Sequence, residues 1–117
     1  MHFAISASWG PTDTTRAMLP FIFAASALQV KDKVTIMLFH DAVNLALKGF
    51  ADNILPVGPP QRFKEFINNK NSKLLVCKPC AEVRNIFEKD CIKQALFCGM
   101  NDFHAACSQD KTKVINY

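Results

Sequence analysis

The chain has 117 residues, 50% of them apolar and 21% charged. That length leaves room for one domain, and that apolar share excludes general disorder, because disordered chains lack the surface whose burial offsets chain entropy. Four glycines and six prolines exclude collagen-like and low-complexity chains. The longest nearly apolar run, Ala17 to Leu28, contains Pro20 and falls short of the roughly 20 residues a spanning helix needs. No Lys or Arg precedes the apolar Phe3-Ala4-Ile5, so no secretory signal is expected. The reading is a soluble, cytoplasmic, single-domain protein without membrane association. The net charge is +4, and residues 61–117 supply all the excess, with ten basic against six acidic residues. The basic residues are scattered and alternate with Glu82, Glu88 and Asp90. That pattern describes a solvated surface rather than a nucleic-acid interface.

His2 to Ser8 is compatible with a first strand and ends at the turn Gly10-Pro11. Thr12-Asp13-Thr14-Thr15 offers N-caps for a long apolar helix reaching about Gln29. Pro20 inside it should kink the helix or mark its true first turn. Met18, Leu19, Phe21, Ile22, Phe23 and Leu28 leave this helix almost no polar face, so it is either sandwiched in the core or covered by another subunit. Val34 to His40 is a continuous apolar run of strand length, the pattern of a strand buried on both faces. A short helix is expected over Asp41 to Lys48, stopped by Gly49. An irregular stretch follows over Ala51 to Pro60, where Gly58-Pro59-Pro60 sets up a helix over Gln61 to Asn69. Lys73 to Cys77 reads as a third strand and Pro79 to Glu88 as a helix with Pro in its first turn. Gln94 to Cys98 is a short fourth strand, Asn101 to Ser108 a helix and Lys113 to Tyr117 a fifth strand. The order β-α-β-α-α-β-α-β-α-β predicts a three-layer α/β/α fold around a five-stranded, mostly parallel sheet.

Five cysteines, all in the last 41 residues, make an odd count that fits reduced thiols better than a disulfide framework. In open parallel sheets reactive groups collect at the carboxyl ends of the strands. On the predicted strands that edge holds Trp9, His40, Cys77 and Cys98. There is no GxGxxG or GxxxxGK[ST] segment, so a dinucleotide or nucleoside-triphosphate enzyme is not expected. The sharpest motif is Cys77-Lys78-Pro79-Cys80, at a strand-to-helix junction. A helix N-terminus, Lys78 and Arg84 should all lower a thiol pKa there and raise the nucleophilic thiolate fraction. Cys80 is close enough in sequence to resolve a sulfenic acid or persulfide on Cys77. Two other readings stand beside this one. The pair is also readable as half of a zinc site completed by His104 and Cys107, or simply as packing thiols. His40 titrates near neutrality and is a candidate to orient or deprotonate a sulfur species. Trp9 reads as a pocket wall or interface anchor, Cys91 as a surface or loop residue, and Cys98 as a strand-end thiol.

These residues carry a resemblance. Pro11-Thr12-Asp13-Thr14-Thr15-Arg16-Ala17-Met18-Leu19-Pro20-Phe21 resembles the first-helix pattern of the DsrE/DsrF-like family, and Leu47-Lys48-Gly49-Phe50-Ala51-Asp52 with Pro59-Pro60 also matches. Leu74-Leu75-Val76-Cys77-Lys78-Pro79-Cys80-Ala81-Glu82-Val83-Arg84-Asn85-Ile86 is similar to the family's Leu-Val-Cys-x-x-Cys-x-x-x-Arg-Gly-Ile segment. Asn85 stands where the family has Gly, a mild change at what looks like an αL helix end. The resemblance covers residues 1–117 as one domain. It implies a five-stranded parallel sheet between helices and assembly as a homodimer, trimer or hexamer. It also implies sulfur transfer through a cysteine persulfide in the Cys77–Cys80 segment, with sulfur donor and acceptor proteins as partners.

The expected function is therefore a cytoplasmic sulfur carrier or sulfurtransferase with no cofactor and no metal. Cys77 is expected to accept the sulfur and Cys80 to be its partner, supported by His40, Trp9, Lys78, Arg84 and Cys98. Two alternatives use the same chain: a thiol–disulfide or peroxide reductase on the CxxC, and a non-catalytic oligomeric binding protein. Self-association is expected through the helix over Thr14 to Gln29 or the segment from Phe50 to Leu55.

Overall fold

The computed structural model describes residues 1–53 and 60–117. The expectations for Gly58-Pro59-Pro60 and for the Phe50–Leu55 contact fall partly or wholly outside those residues. Five strands form one sheet in the order β4-β3-β2-β1-β5: β1 (His2–Ala7), β2 (Lys33–Leu38), β3 (Ser72–Cys77), β4 (Ala95–Cys98) and β5 (Thr112–Asn116). Every pairing is parallel. The central strands bury Ala4, Ile5, Val34, Ile36, Met37, Leu38, Leu74 and Val76. This is why they read as unbroken apolar runs rather than alternating ones.

Helix α1 (Thr14–Gln29) is capped by Asp13, whose carboxylate accepts from the Arg16 N–H at 3.0 Å. Pro20 lies within this helix, not at its first turn, and its missing N–H removes the bond that would otherwise reach the carbonyl of exposed Arg16. Ala17, Met18, Phe21, Ala24 and Leu28 turn inward, and Phe21 meets Phe63 and Phe66 edge-on at 4.9 and 5.5 Å. Those two phenylalanines belong to α2 (Pro60–Ile67), which packs with α1 over one face of the sheet. On the outer side of α1, Leu19 is exposed, Ile22 and Phe23 are half-buried, and Phe23 packs edge-on to Phe3 at 5.1 Å.

The connection from β4 returns across the sheet to β5 on the far side of β1. Right-handed crossovers therefore place its helix, α4 (Met100–Cys107), on the opposite face. There it packs on β1 and β5, and Phe103 meets Phe39 edge-on at 5.5 Å. With only eight residues, α4 leaves the β3–β4 side of that face open.

Three boundaries differ from the sequence reading. Strand β2 stops at Leu38, and 3-10 turns run from His40 to Ala46 instead of a regular helix. His40 opens them with φ +52°, a left-handed conformation that ends the strand. Helix α3 (Lys78–Glu82) has five residues rather than reaching Glu88. Its stop is Asn85, at φ +56°, closed by the Ile86 N–H donating to the Ala81 carbonyl, the αL termination that the resemblance pointed to. Cys91 is buried rather than at the surface, in an isolated bridge with Leu47.

One buried polar cluster was not foreseen. His2 places its two ring nitrogens 2.9 Å from the hydroxyls of Thr112 and Thr35, pinning β1 to both neighbours. Burial, then the charges of Lys33 and Lys73, push its pKa below 6.5. Among the described residues no helix is long and apolar enough to cross a membrane.

Candidate functional site

The carboxyl ends of β1, β2 and β3 meet at one edge. Strand β3 ends at Cys77, and α3 begins at the next residue, so Cys80 sits one helical turn beyond it. The two thiols are close enough for each to influence the other's ionisation. Cys77 is 8% exposed and Cys80 is half-buried, so the thiol expected to accept the sulfur is the more covered of the two. All five cysteines are free thiols.

Burial pushes the Cys77 thiol above the ordinary range, and the neighbouring Cys80 thiol adds to the rise. The Cys80 backbone and Arg84 pull weakly the other way. The acidified thiol expected at position 77 is therefore absent. A five-residue helix supplies a small dipole, and the penalty for placing a thiolate under cover outweighs it.

Arg84 organises this edge. Its Nε donates to Asp41 Oδ1 at 2.9 Å, one terminal nitrogen donates to the Cys80 carbonyl at 3.0 Å, and the other donates to His40 Nδ1 at 2.8 Å. A guanidinium has no acceptor, so the last contact makes His40 Nδ1 the acceptor and leaves the ring proton on Nε2. The imidazole is 68% exposed, and its Nε2 lies 4.0 Å from Asp41 Oδ2. With Nδ1 taken by Arg84, His40 is not placed to remove a proton through that nitrogen. Gly10 closes the arrangement from the β1 side, its Cα lying against the Asp41 backbone.

Cys98 is the register partner of Cys77 on the neighbouring strand, and the Cys98 thiol feels the charge of Cys77. Burial and then the Asp102 carboxylate push the Cys98 thiol up to about 11. Asp102 also caps α4 by accepting from the Gly99 N–H at 3.2 Å.

The edge thus gathers His40, Cys77, Cys80 and Arg84, with Cys98 alongside. Trp9 and Lys78 stand apart. The Trp9 ring is covered by the Arg16 guanidinium 4.6 Å from its centroid. Lys78 lines a separate cavity of about 470 Å³ with Glu82, Ile86, Phe87 and Phe97. Asp41 and Asp102 were missed. The signals were present, since Asp41 directly follows the strand-end His40 and Asp102 stands at capping distance from Gly99. Among the described residues no group of three or more His, Cys, Asp or Glu side chains has metal-binding geometry, so the Cys77–Cys80–His104–Cys107 set is not brought together.

The model of the DsrE/DsrF-like family matches residues 1–117. The uncharacterized protein MJ0760 of Methanocaldococcus jannaschii is 35% identical over 83 residues, covering 69% of this chain and 30% of that protein. The chain thus spans less than a third of that relative's length. Among solved structures, the ychN protein from E. coli superimposes with a TM-score of 0.83 at 17% identity, covering 100% of this chain and 99% of that one. MTH1491 from Methanobacterium thermoautotrophicum, a protein of unknown function, gives 0.72 at 9% identity, covering 99% and 96%. At these identities the likeness is one of fold.

Proposed function

Because the chain belongs to the DsrE/DsrF-like family, we propose that it relays sulfane sulfur, carried as a persulfide on Cys80 with Cys77 as the exchange partner. The observation that carries this reading is the pair of thiols at the β3–α3 junction, with the more exposed member, Cys80, fixed through its own carbonyl by Arg84. The Cys80 thiolate attacks the outer sulfur of a donor persulfide. One S–S bond forms, the donor's S–S bond breaks, and the donor leaves as a thiolate that takes up the Cys80 proton. No net oxidation occurs. The Arg84 guanidinium, bonded to the Cys80 carbonyl, brings positive charge to this end of the helix and favours the persulfide anion.

Thiol–disulfide reduction on the same pair is less well supported. Such dithiols attack through an acidified N-terminal thiol, and burial pushes Cys77 the opposite way. The partners under this reading are sulfur donor and acceptor proteins, together with further copies of the chain meeting through the outer face of α1. Five free thiols persist in a reducing compartment such as the cytoplasm.

Mass spectrometry after inorganic polysulfide treatment tests the reading. One added sulfur atom on Cys80, absent in Cys80→Ser and retained in Cys91→Ser, is expected. Insulin reduction without a persulfide adduct would assign the pair to the reductase chemistry, and neither result would leave a binding protein whose thiols are incidental.

A further inference from the structure

Because α4 covers only the β1–β5 side of its face, a groove of about 370 Å³ remains between α4 and the β3–β4 half of the sheet. Leu75 and Leu96 form its floor, Asp102 and Ala105 belong to its α4 wall, and Cys98 and Lys73 lie at opposite ends. Lys73 is exposed and, among the described residues, forms no ion pair. Leu96 is 48% exposed, so the floor is open to a ligand.

Spacing and charge select the ligand. Lys73 stands four residues before Cys77, the register partner of Cys98, or roughly 13 Å along the strand. A single amino acid spans under about 4 Å, whereas in a γ-glutamyl tripeptide the extended arm from the central thiol to the γ-glutamyl carboxylate reaches roughly 10 Å, and the lysine side chain closes the rest. We propose that this groove admits the persulfide of a glutathione-type thiol tripeptide, with its sulfur against Cys98 and a terminal carboxylate on Lys73, as a small-molecule entrance to the relay. The proposal rests on the Cys80 reading above and adds the donor class.

The chemistry balances without an external oxidant. The Cys98 thiol, which lines the groove with Asp102, gives up its proton to that carboxylate and attacks the outer sulfur of the bound persulfide. A Cys98 S–S bond forms, the peptide's S–S bond breaks, and the peptide leaves as a thiol carrying the proton. Cys77 takes the sulfur from Cys98, and Cys80 takes it from Cys77, each step making one S–S bond and breaking one. Attack by a basic thiolate with departure of a less basic one runs in the favoured direction, and the high position of the Cys98 thiol supports inward flow at the first step. Buried Cys77 becomes the bridge between two accessible sulfurs.

The test compares two donors. Inorganic polysulfide reaches Cys80 from the open edge, and glutathione persulfide enters through the groove. The parent is expected to load Cys80 from both. Cys98→Ser should lose loading from glutathione persulfide, and Lys73→Glu should slow it by about tenfold, while polysulfide loading stays unchanged in each. Unreactive S-methylglutathione should bind the parent and not Lys73→Glu, with Lys73→Gln intermediate, which separates lost binding from lost folding. Equal loading of Cys98→Ser and the parent by glutathione persulfide overturns the groove and leaves the Cys80 reading intact. No binding of S-methylglutathione to the parent, as when a second copy covers the groove, also overturns it. Failure of both donors to load the parent removes the Cys80 reading itself.

Discussion

Gly10→Ala tests whether the thiol edge depends on close backbone approach. A Cβ at position 10 lies 2.8 Å from the Asp41 carbonyl carbon and 3.2 Å from the Asp41 Cβ, with the Asp41 oxygen nearer still. Ordinary contact needs more than about 3.4 Å, so the loop after β1 or the turn at Asp41 must move by at least about half an ångström. Neither obstacle is a side-chain tip that can rotate away. Overpacking of this kind costs about 1–3 kcal/mol, which for a domain of this size corresponds to a fall in Tm of roughly 4–15 °C. Because Asp41 anchors Arg84, and Arg84 holds both Cys80 and His40, the same change should raise the alkylation rate of Cys80. Circular dichroism melting and timed iodoacetamide labelling, followed by peptide mass spectrometry, read the two effects. Gly99→Ala is the control, since a Cβ at that position meets nothing within 4 Å, and it should change stability by less than about 1 kcal/mol. A Gly10→Ala protein melting with the parent and labelling at the same rate would refute the reasoning.

Three further outcomes are expected. With its folded pKa below 6.5, His2 gives a contribution that is fully present above that value and is lost as pH falls towards the folded pKa. Urea midpoints at about pH 8 and about pH 5 should therefore differ more in the parent than in His2→Gln. Asn85→Gly should be neutral or stabilising by up to about 1 kcal/mol, and Asn85→Val should cost about 1–2 kcal/mol, because φ +56° suits glycine and strains a β-branched residue. Equal melting temperatures for these two variants would contradict the αL termination of α3. Finally, Leu19→Arg combined with Phe23→Glu should shift the assembled form to monomer in light scattering, and a parent that is monomeric at micromolar concentration would defeat the α1 contact.

What the sequence made legible follows from how local each signal is. Asp13 caps α1 through the third residue after it, so both the cap and the helix start are written within a few positions. Strands β2 and β3 announce themselves because, after their first residues, successive side chains on both faces are buried. Helix α3 was overextended because Val83, Ile86 and Phe87 continue an apolar pattern, while the stop depends on one backbone angle at Asn85. The CxxC spacing was plain, but which sulfur faces water was not. Cys77 lies buried beside its register partner Cys98 on β4, while Cys80 is only half-buried, and that pairing is non-local. The Arg84–Asp41 pair joins residues 43 apart, and only the register of β2 against β3 brings them together.

The order of the sheet has a kinetic consequence. Strands β1 to β4 pair in succession along the chain, but β5 returns to β1, so that His2 meets Thr112 across 110 residues. Closing that loop comes at the largest entropic cost in the molecule and raises the mean sequence separation of its contacts, which slows folding. Half-exposed β5 is therefore the last strand to dock and the first to peel. While it is away, β1 stops being an interior strand and becomes a bare edge flanked by apolar side chains. Two molecules in that state can exchange their fifth strands and rebuild every native pairing between them, a domain-swapped route to association that needs no surface designed for it.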